Sequence, residues 1–284
     1  MKRSMVLLRE MLLLMRVDKP IGTWLLLWPS WWALTAAAPH DPDGFLYLIF
    51  GVGTFLMRSA GCVANDLADR NFDPHVERTR ERPLAARRIG IWPARLLLLV
   101  LLLGAFALVQ LLNTLTIQLS FVGAGLALFY PYTKRFMHLP QFVMGAAFGW
   151  GVIMGWAAAS NATPLAAWLT FAATLTWAAG YDTIYAMLDR EDDRKIGVKS
   201  TAILFGRHDR LAVALLYGIT LLLLLWVGQS LHLGFFFHTA LLAALGHMSW
   251  QLYTLREYHR PKVFRAFLSN RWTGLIILAG FALG

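Results

Sequence analysis

Apolar runs of about 20 residues, each long enough to cross a hydrocarbon core of roughly 30 Å, recur along this chain from Thr23 to its C-terminus. Hydrophobic residues make up 58% of the 284 positions and charged residues only 15%. An ordinary soluble domain carries about a quarter charged residues, so water is not the main solvent of this chain. We therefore predict an all-α, polytopic membrane protein.

The runs predict about nine transmembrane helices around a central cavity, in a single domain of residues 1–284. No Gly/Ser/Pro-rich linker separates a second unit. Residues 1–19 are basic and Leu-rich, but Arg9, Glu10 and Arg16 interrupt them, so they fit an interfacial amphipathic segment better than a signal peptide. The expected spans are 21–38, 45–66, 91–111, 114–130, 140–159, 164–188, 211–228, 232–252 and 270–284.

The basic residues alternate along the chain, and this alternation predicts its orientation. The turns near 39–44, 111–114, 160–164 and 228–232 contain no Lys or Arg, whereas the remaining connections and the N-terminus are basic. By the positive-inside rule the N-terminus and the basic loops are cytoplasmic and the C-terminus is outside. We expect a bacterial inner membrane, because no Arg- and Ser-rich transit peptide precedes the first span. The formal charge of +10 is then explained by basic loops at the surface of the lipid bilayer and does not indicate binding to nucleic acid.

Most of the 16 carboxylates lie in or beside two hydrophilic loops, residues 67–90 and 189–210, on the same predicted side. In the first cluster Asn65, Asp69 and Asp73 are spaced four residues apart. They would share one helical face if the second span continued to Asp73, and Pro74 predicts that the helix stops about there.

The second cluster has a similar helical spacing. Asp182, Asp189 and Asp193 lie seven and then four residues apart, which again selects one helical face. We expect the two clusters to face each other, so that four carboxylates converge at the cytoplasmic boundary: Asp69, Asp73, Asp189 and Asp193. Asp192 lies beside the last of these, which leaves the ligand within that pair open.

Hard oxygen ligands in this number suit Mg²⁺, which commonly bridges protein carboxylates to substrate phosphates. No EF-hand or zinc-binding pattern is present, and Cys62 is the only cysteine. Basic side chains near the acidic clusters offer contacts to a diphosphate; these are Arg78, Arg82, Lys134 and Lys199. Each of them taken alone is also consistent with an anchor to anionic lipid.

Two long motifs resemble the signatures of the UbiA-type intramembrane prenyltransferases. The first signature resembles residues 65–85, which read N-D-x-x-D-x-x-x-D followed by V-E-R-T-x-x-R-P-L-A. The second resembles residues 182–201, D-T-I-Y-A-x-x-D-x-x-x-D ending in G-x-K-S-T. The likeness runs from D-K-P-I-G-T at residues 18–23 through nearly the whole chain, and it is closest to the 4-hydroxybenzoate branch of ubiquinone synthesis.

The resemblance implies a function and a set of site residues. Polyprenyl diphosphate and 4-hydroxybenzoate would be the substrates, and the four converging aspartates would hold Mg²⁺ and diphosphate. The phosphates would contact Arg78, Arg82, Lys134, Tyr130 and Lys19.

The chemistry of such a transfer suggests roles for further residues. An allylic cation needs an apolar and aromatic wall, to which Tyr185 would contribute. Hydrogen bonding to the acceptor hydroxyl would fall to Asn65 or Asp189. Arg58 is the basic residue deepest in an apolar run, so it would hold the acceptor carboxylate. A purely structural ion pair between Arg58 and Asp182 is the alternative.

Other functions fit parts of the pattern. Within the family the acceptor could be a naphthoate, homogentisate, chlorophyllide or haem. A membrane transporter is the alternative from another class, since it too carries intramembrane charges. The charges here gather at one membrane face and not at the midplane, which argues against transport.

Overall fold

The computed structural model describes residues 2–38, 41, 43–77 and 79–284, and the regular structure of these residues is helical. The all-α prediction is therefore confirmed. The α-helices are α1 (Lys2–Leu14), α2 (Ile21–Ala37), α3 (Gly44–Asp69), α4 (Ile91–Val109), α5 (Thr114–Thr133), α6 (Pro140–Ser160), α7 (Leu165–Ala186), α8 (Arg190–Ile196), α9 (Thr201–Phe205), α10 (Asp209–Ser230), α11 (Phe235–Thr254) and α12 (Arg260–Leu283). Short 3₁₀ helices cover Asp73–His75, Gly206–His208 and Leu255–Glu257.

Each predicted span coincides with one of the longer helices. Within the described part of the chain, six stretches are long and apolar enough to cross a membrane: 44–69, 91–109, 114–133, 140–160, 201–230 and 260–283. These make the chain a multi-pass membrane protein, and the count of nine spans stays a prediction.

The last predicted span begins too late. The apolar run predicts a start at residue 270, but α12 begins at Arg260. Pro261 suits the first turn of a helix, where its missing N–H costs no hydrogen bond. The basic residues of the first half of α12 are typical of a loop. Packing nevertheless stabilises a helix there, because Val263, Ala266 and Phe267 are buried.

The core is formed chiefly by α2, α6, α7, α10, α11 and α12, around large side chains that are fully buried, such as Trp32 and Trp177. Small residues let the helices approach closely, as is common in membranes. A Cβ atom at Gly145 would lie 2.7 Å from the Leu175 carbonyl oxygen, and one at Gly155 would lie 3.1 Å from the Ser30 carbonyl oxygen. These contacts fix α6 against α7 and α2.

The outer surface is apolar, as contact with lipid requires. On α4, Leu96, Leu99 and Leu103 are each more than half exposed. Helix α1 buries Leu14 in a small cluster with α3, while Met5 and other apolar side chains on it remain exposed. The interfacial position of residues 1–19 stays a prediction that this exposed face supports.

The connections predicted to be cytoplasmic meet at one end of the bundle. The Lys199 amide donates to the Lys134 carbonyl at 3.0 Å, and Arg260 donates to the Leu188 carbonyl at 2.8 Å. Arg135 donates to the Ala68 carbonyl at 2.6 Å. The polar loops therefore form one continuous surface next to the ends of α3, α5 and α7.

Candidate active site

The first acidic cluster bends back toward the bundle. The helical spacing predicts that the helix continues to Asp73, but α3 ends at Asp69. After a short turn, Asp73 begins a 3₁₀ helix with Pro74, and the Thr79 hydroxyl donates to the Asp73 carbonyl at 2.9 Å. Asn65 and Asp69 thus share a helical face, whereas Asp73 reaches the cluster through a turn.

The second cluster is also interrupted. Helix α7 ends at Ala186, and Asp189 lies in the turn that precedes α8, with φ −103° and ψ 0°. This conformation breaks the continuous stripe that was predicted for Asp182, Asp189 and Asp193. Helix α8 then begins anew, with the Asp193 amide donating to the Asp189 carbonyl at 2.8 Å. The two carboxylates are one helical turn apart.

Cations neutralise the first cluster. The Arg82 guanidinium lies 3.1 Å from Asp66 and 3.0 Å from Asp73, and so bridges the two carboxylates. Arg16 also binds Asp66, with its Nη2 atom 2.8 Å from Oδ1 and 2.9 Å from Oδ2. Lys134 is ion-paired with Asp69. The same side chains that would bind a diphosphate therefore lie on the acidic residues in this structure.

Asp69 fits the role of a metal ligand. Its side chain is 1% exposed, and its Oδ1 atom is buried with no hydrogen-bond partner, although Oδ2 contacts Lys134. A buried carboxylate oxygen without a partner is costly, and a divalent cation would satisfy it. Burial raises the pKa of the nearby Asp73 carboxyl, and Arg82 partly opposes this. A metal ion would favour the deprotonated form of Asp73.

The four aspartates are not gathered into a finished metal site. Within the described residues, no three Asp, Glu, His or Cys side chains stand close enough to hold a metal ion between them. Asp69, Asp73 and Asp189 are buried, and Asp193 is half-buried. Their joint coordination of Mg²⁺ stays a prediction.

A cavity of about 1100 Å³ opens beside the first cluster. Helices α2 to α7 and α12 line it, mostly with apolar and aromatic side chains. Seven of the predicted site residues lie in its wall: Lys19, Arg58, Asn65, Arg82, Tyr130, Asp182 and Tyr185.

Other predicted site residues lie outside this wall. Asp69 is the last residue of α3, Asp73 begins the following 3₁₀ helix, Asp189 lies in the turn before α8 and Asp193 lies in α8. Lys134 is paired with Asp69. Lys199 donates from its amine to the Phe136 carbonyl at 3.1 Å, so its side chain fastens the second loop to the end of α5. Arg78 lies outside the described residues.

Arg58 occupies the deep part of the cavity. Its guanidinium lies over Gly22 on α2 and donates from Nη1 to the Cys62 sulfur, while its Nε atom is buried with no hydrogen-bond partner. Tyr130 and Tyr185 lie within electrostatic range of the guanidinium. A cation beside aromatic side chains in a mostly apolar cavity wall is suited to hold an anionic group of a substrate.

Sequence reasoning missed several residues of the site. Asp66 was counted among the acids without a role, and Arg16 was assigned to the membrane surface, yet the two form an ion pair beside the cavity. Tyr181 lies in the wall, and its hydroxyl is buried without a partner. The one available signal was the position of Asp66 next to Asn65, since the other contacts depend on tertiary structure.

Comparison with known proteins decides the family. The model of the UbiA prenyltransferase family matches residues 26–273, which is most of the chain. This protein belongs to the UbiA prenyltransferase family. The prediction of a membrane-bound prenyltransferase is thereby confirmed, and the transporter alternative is wrong.

Relatives and solved structures agree with this assignment. A 4-hydroxybenzoate octaprenyltransferase from Nitrosococcus oceani is 53% identical over 283 residues, covering 100% of this chain and 98% of the relative. One of the same name from Chromohalobacter salexigens is 52% identical, covering 96% of this chain and 92% of the relative.

Among solved structures, the apo structure of a UbiA homolog from Aeropyrum pernix superposes with a TM-score of 0.81 at 26% identity, covering 92% of this chain and 97% of that one. A UbiA homolog from Archaeoglobus fulgidus, solved with GPP and Mg²⁺, has a TM-score of 0.73 at 17% identity, covering 96% and 99%. At 17% identity, the likeness to the second structure shows that the two chains share a fold.

Proposed function

We propose that this prenyltransferase transfers a polyprenyl group from polyprenyl diphosphate to 4-hydroxybenzoate, at the ring carbon ortho to the hydroxyl, with Mg²⁺ and in ubiquinone biosynthesis. The observation that carries the proposal is the cavity itself. It joins a deep guanidinium, Arg58, to a polar mouth beside the buried carboxylate of Asp69. The names of relatives that are about half identical support the choice of acceptor.

The donor diphosphate binds at the polar mouth in this proposal. Asp69, Asp73, Asp189 and Asp193 would hold Mg²⁺, which when bound neutralises the charge that builds on the departing diphosphate. The Oδ1 atom of Asp69 is a ligand atom already without a partner. Lys134 and Arg82 would then leave their carboxylates and contact phosphate oxygens, the role that the sequence also suggests for Arg78, Tyr130, Lys19 and Lys199.

The cavity wall protects the reacting carbon. The bond between the allylic carbon and the diphosphate oxygen breaks, and its electron pair leaves with the diphosphate. The resulting delocalised cation would be attacked by water in an open site, and the apolar wall prevents this. The rings of Tyr185 and Phe267 both lie in this wall, tilted by 35° with centroids 4.5 Å apart, and aromatic π-faces stabilise positive charge.

The acceptor is oriented by its two polar ends. Arg58 binds the carboxylate of 4-hydroxybenzoate, and Asn65, two helical turns further along α3, lies toward the mouth where the hydroxyl is expected. If the Asn65 amide oxygen or the Asp189 carboxylate accepts a hydrogen bond from this hydroxyl, the ring becomes more nucleophilic. A π-electron pair of the ring forms the new bond from the carbon ortho to the hydroxyl to the allylic carbon. The proton on that ring carbon then passes to the released diphosphate, which restores aromaticity.

The same proposal includes the cellular setting. The polar end of the bundle would face the cytoplasm of a bacterium, with the C-terminus outside, because the loops at that end carry the basic residues. Asp41 and Asp43 line a small recess near the opposite end of α2.

The test uses membranes that contain the full-length protein, with 4-hydroxybenzoate and geranyl diphosphate as substrates. Asp69→Asn keeps the shape of the side chain but removes the charge, and Asp41→Asn is the matched control away from the mouth. We expect product from the wild type and from Asp41→Asn only with Mg²⁺, and almost none from Asp69→Asn. Product at the full rate after metal removal would disprove the mechanism. Prenylation of a naphthoate or homogentisate in place of 4-hydroxybenzoate would show that the acceptor is wrong.

A further inference from the structure

Gly22 is the point at which the Arg58 side chain crosses α2. A Cβ atom built on Gly22 would lie 2.6 Å from Arg58 Cζ and would overlap the guanidinium nitrogens. Gly22 is buried in the first turn of α2, and nothing in its backbone demands a glycine. Close approach of another group is therefore the physical reason for a residue without a side chain at this position.

The contact is specific to the charged end of Arg58. All three atoms nearest to the added Cβ belong to the guanidinium group, and none belongs to backbone. A methyl group at residue 22 would therefore displace the end of a flexible side chain and would leave the packing of α2 against α3 in place. The predicted damage is confined to the position of one charge.

That charge is fixed by few other contacts. In this structure Nη1 of Arg58 donates to the Cys62 sulfur, a weak acceptor, and Nε has no partner. The packing of the guanidinium against Gly22 is therefore a main determinant of its orientation. A planar guanidinium binds a carboxylate through two parallel hydrogen bonds, and this geometry tolerates little displacement.

We propose that Gly22 is a positioning residue. It leaves the space that the Arg58 guanidinium occupies, and in this way it sets the selectivity of the enzyme for acceptors that carry a carboxylate. This inference rests on the proposed function, in which Arg58 holds the acceptor carboxylate. The donor diphosphate binds at the mouth of the cavity in that proposal, so its binding does not depend on the contact between Gly22 and Arg58.

The decisive variant is Gly22→Ala. Gly125→Ala is its matched control, because Gly125 also lies inside a helix, has open space around an added Cβ and is not part of the cavity wall. For Gly22→Ala we expect the KM for 4-hydroxybenzoate to rise roughly ten- to a hundredfold, as a misplacement of about 1 Å can cause. The KM for geranyl diphosphate and the melting temperature should match those of Gly125→Ala.

Selectivity gives a second readout. 4-Hydroxybenzamide has the shape of the acceptor without its charge, so it gains little from the guanidinium. We expect the preference for 4-hydroxybenzoate over 4-hydroxybenzamide to fall in Gly22→Ala and to stay unchanged in Gly125→Ala. A parallel rise in the KM of donor and acceptor, or a lowered melting temperature, would show a merely structural role and overturn the inference.

The double variant separates the inference from the function on which it rests. If Gly22 acts through Arg58, then adding Gly22→Ala to Arg58→Ala causes no further loss of acceptor affinity. A normal acceptor KM in Arg58→Ala would refute the role of Arg58 in the proposed function. A raised KM in Arg58→Ala together with a normal one in Gly22→Ala would refute the role of Gly22 alone.

Discussion

The Arg190 guanidinium forms an ion pair with Asp209, a carboxylate with 0% exposure at the first residue of α10. Tyr258 donates its hydroxyl to the same carboxylate, and the Arg190 guanidinium carbon lies 5.4 Å above the Tyr258 ring. Arg190 directly follows Asp189, so these contacts fix the turn that carries a proposed metal ligand. The second acidic loop is thereby tied to the C-terminal helices.

Replacing Asp209 by Asn should loosen this turn. The change leaves Arg190 mostly buried without an anionic partner, and we expect unfolding to become easier by about 2 kcal/mol. This is less than the roughly 3–5 kcal/mol for a fully buried pair, because the Arg190 side chain keeps 17% exposure. Thermal unfolding and the Mg²⁺ concentration for half-maximal activity measure the effect, and the latter should rise as Asp189 shifts.

An exposed ion pair provides the control for that experiment. Glu257 and Lys262 are paired at the surface, so Glu257→Gln should leave both readouts near those of the wild type. Equal behaviour of Asp209→Asn and Glu257→Gln would contradict the positioning role of Asp209.

Lys134 should compete with Mg²⁺ for Asp69. In Lys134→Ala the buried Asp69 carboxylate loses its cation, so the protein should be less stable without metal. Because Mg²⁺ could then replace the missing charge, its addition should raise the melting temperature more than in the wild type. The KM for the prenyl diphosphate should rise, since the proposed contact of Lys134 with a phosphate is lost.

Lys195→Ala is the control for this effect, because Lys195 is 73% exposed and pairs loosely with Asp192 at 3.4 Å. If Mg²⁺ shifts the melting temperatures of the wild type, Lys134→Ala and Lys195→Ala equally, Lys134 and Mg²⁺ do not compete for Asp69.

Arg82 should not be replaceable by Lys. A single nitrogen of Arg82, Nη1, contacts both Asp66 and Asp73. An ammonium group could occupy that one position, but it lacks the further planar donors with which a guanidinium binds phosphate oxygens. We expect Arg82→Lys to lower the melting temperature and to raise the KM for the prenyl diphosphate about tenfold. Arg80→Lys, at a side chain that is 62% exposed, should change neither quantity. Normal kinetics with the prenyl diphosphate in Arg82→Lys would exclude a bidentate contact between Arg82 and the diphosphate.

The helices could be predicted because their signal is local. An apolar run such as residues 91–111 fixes a helix by length and composition alone, and α4 occupies Ile91–Val109. The start of α12 at Arg260 was missed for the converse reason. Its first residues are basic and resemble a loop, and only the burial of Val263 and Phe267 reveals the helix.

The site could be predicted as a list of residues but not as a geometry. The spacing correctly predicts that Asn65 and Asp69 share one face. The turn at Asp189 adjoins Arg190, whose partner Asp209 is 19 residues further along the chain. The pair of Arg16 and Asp66 joins residues 50 positions apart, and no periodicity encodes such a contact. Only tertiary packing shows that Gly22 lies beneath Arg58.

Phe267 tests the role of the aromatic wall. Its ring lies in the cavity wall, is 8% exposed and packs on Tyr185, so Phe267→Leu removes a π-face while keeping an apolar side chain. A cation–π contact contributes about 0.5–2 kcal/mol, so we expect kcat to fall by roughly two- to thirtyfold. The KM values should change little, because the cation forms only as the reaction proceeds.

Phe281→Leu is the matched control on the same helix. Phe281 is 3% exposed and packs on Phe237 with ring centroids 4.9 Å apart, away from the cavity. Both substitutions remove one buried ring, so both should lower the melting temperature by a similar amount. Only Phe267→Leu should slow the reaction in single-turnover measurements. A similar loss of kcat in both variants would trace the effect to helix packing, and the wall would then act only by excluding water.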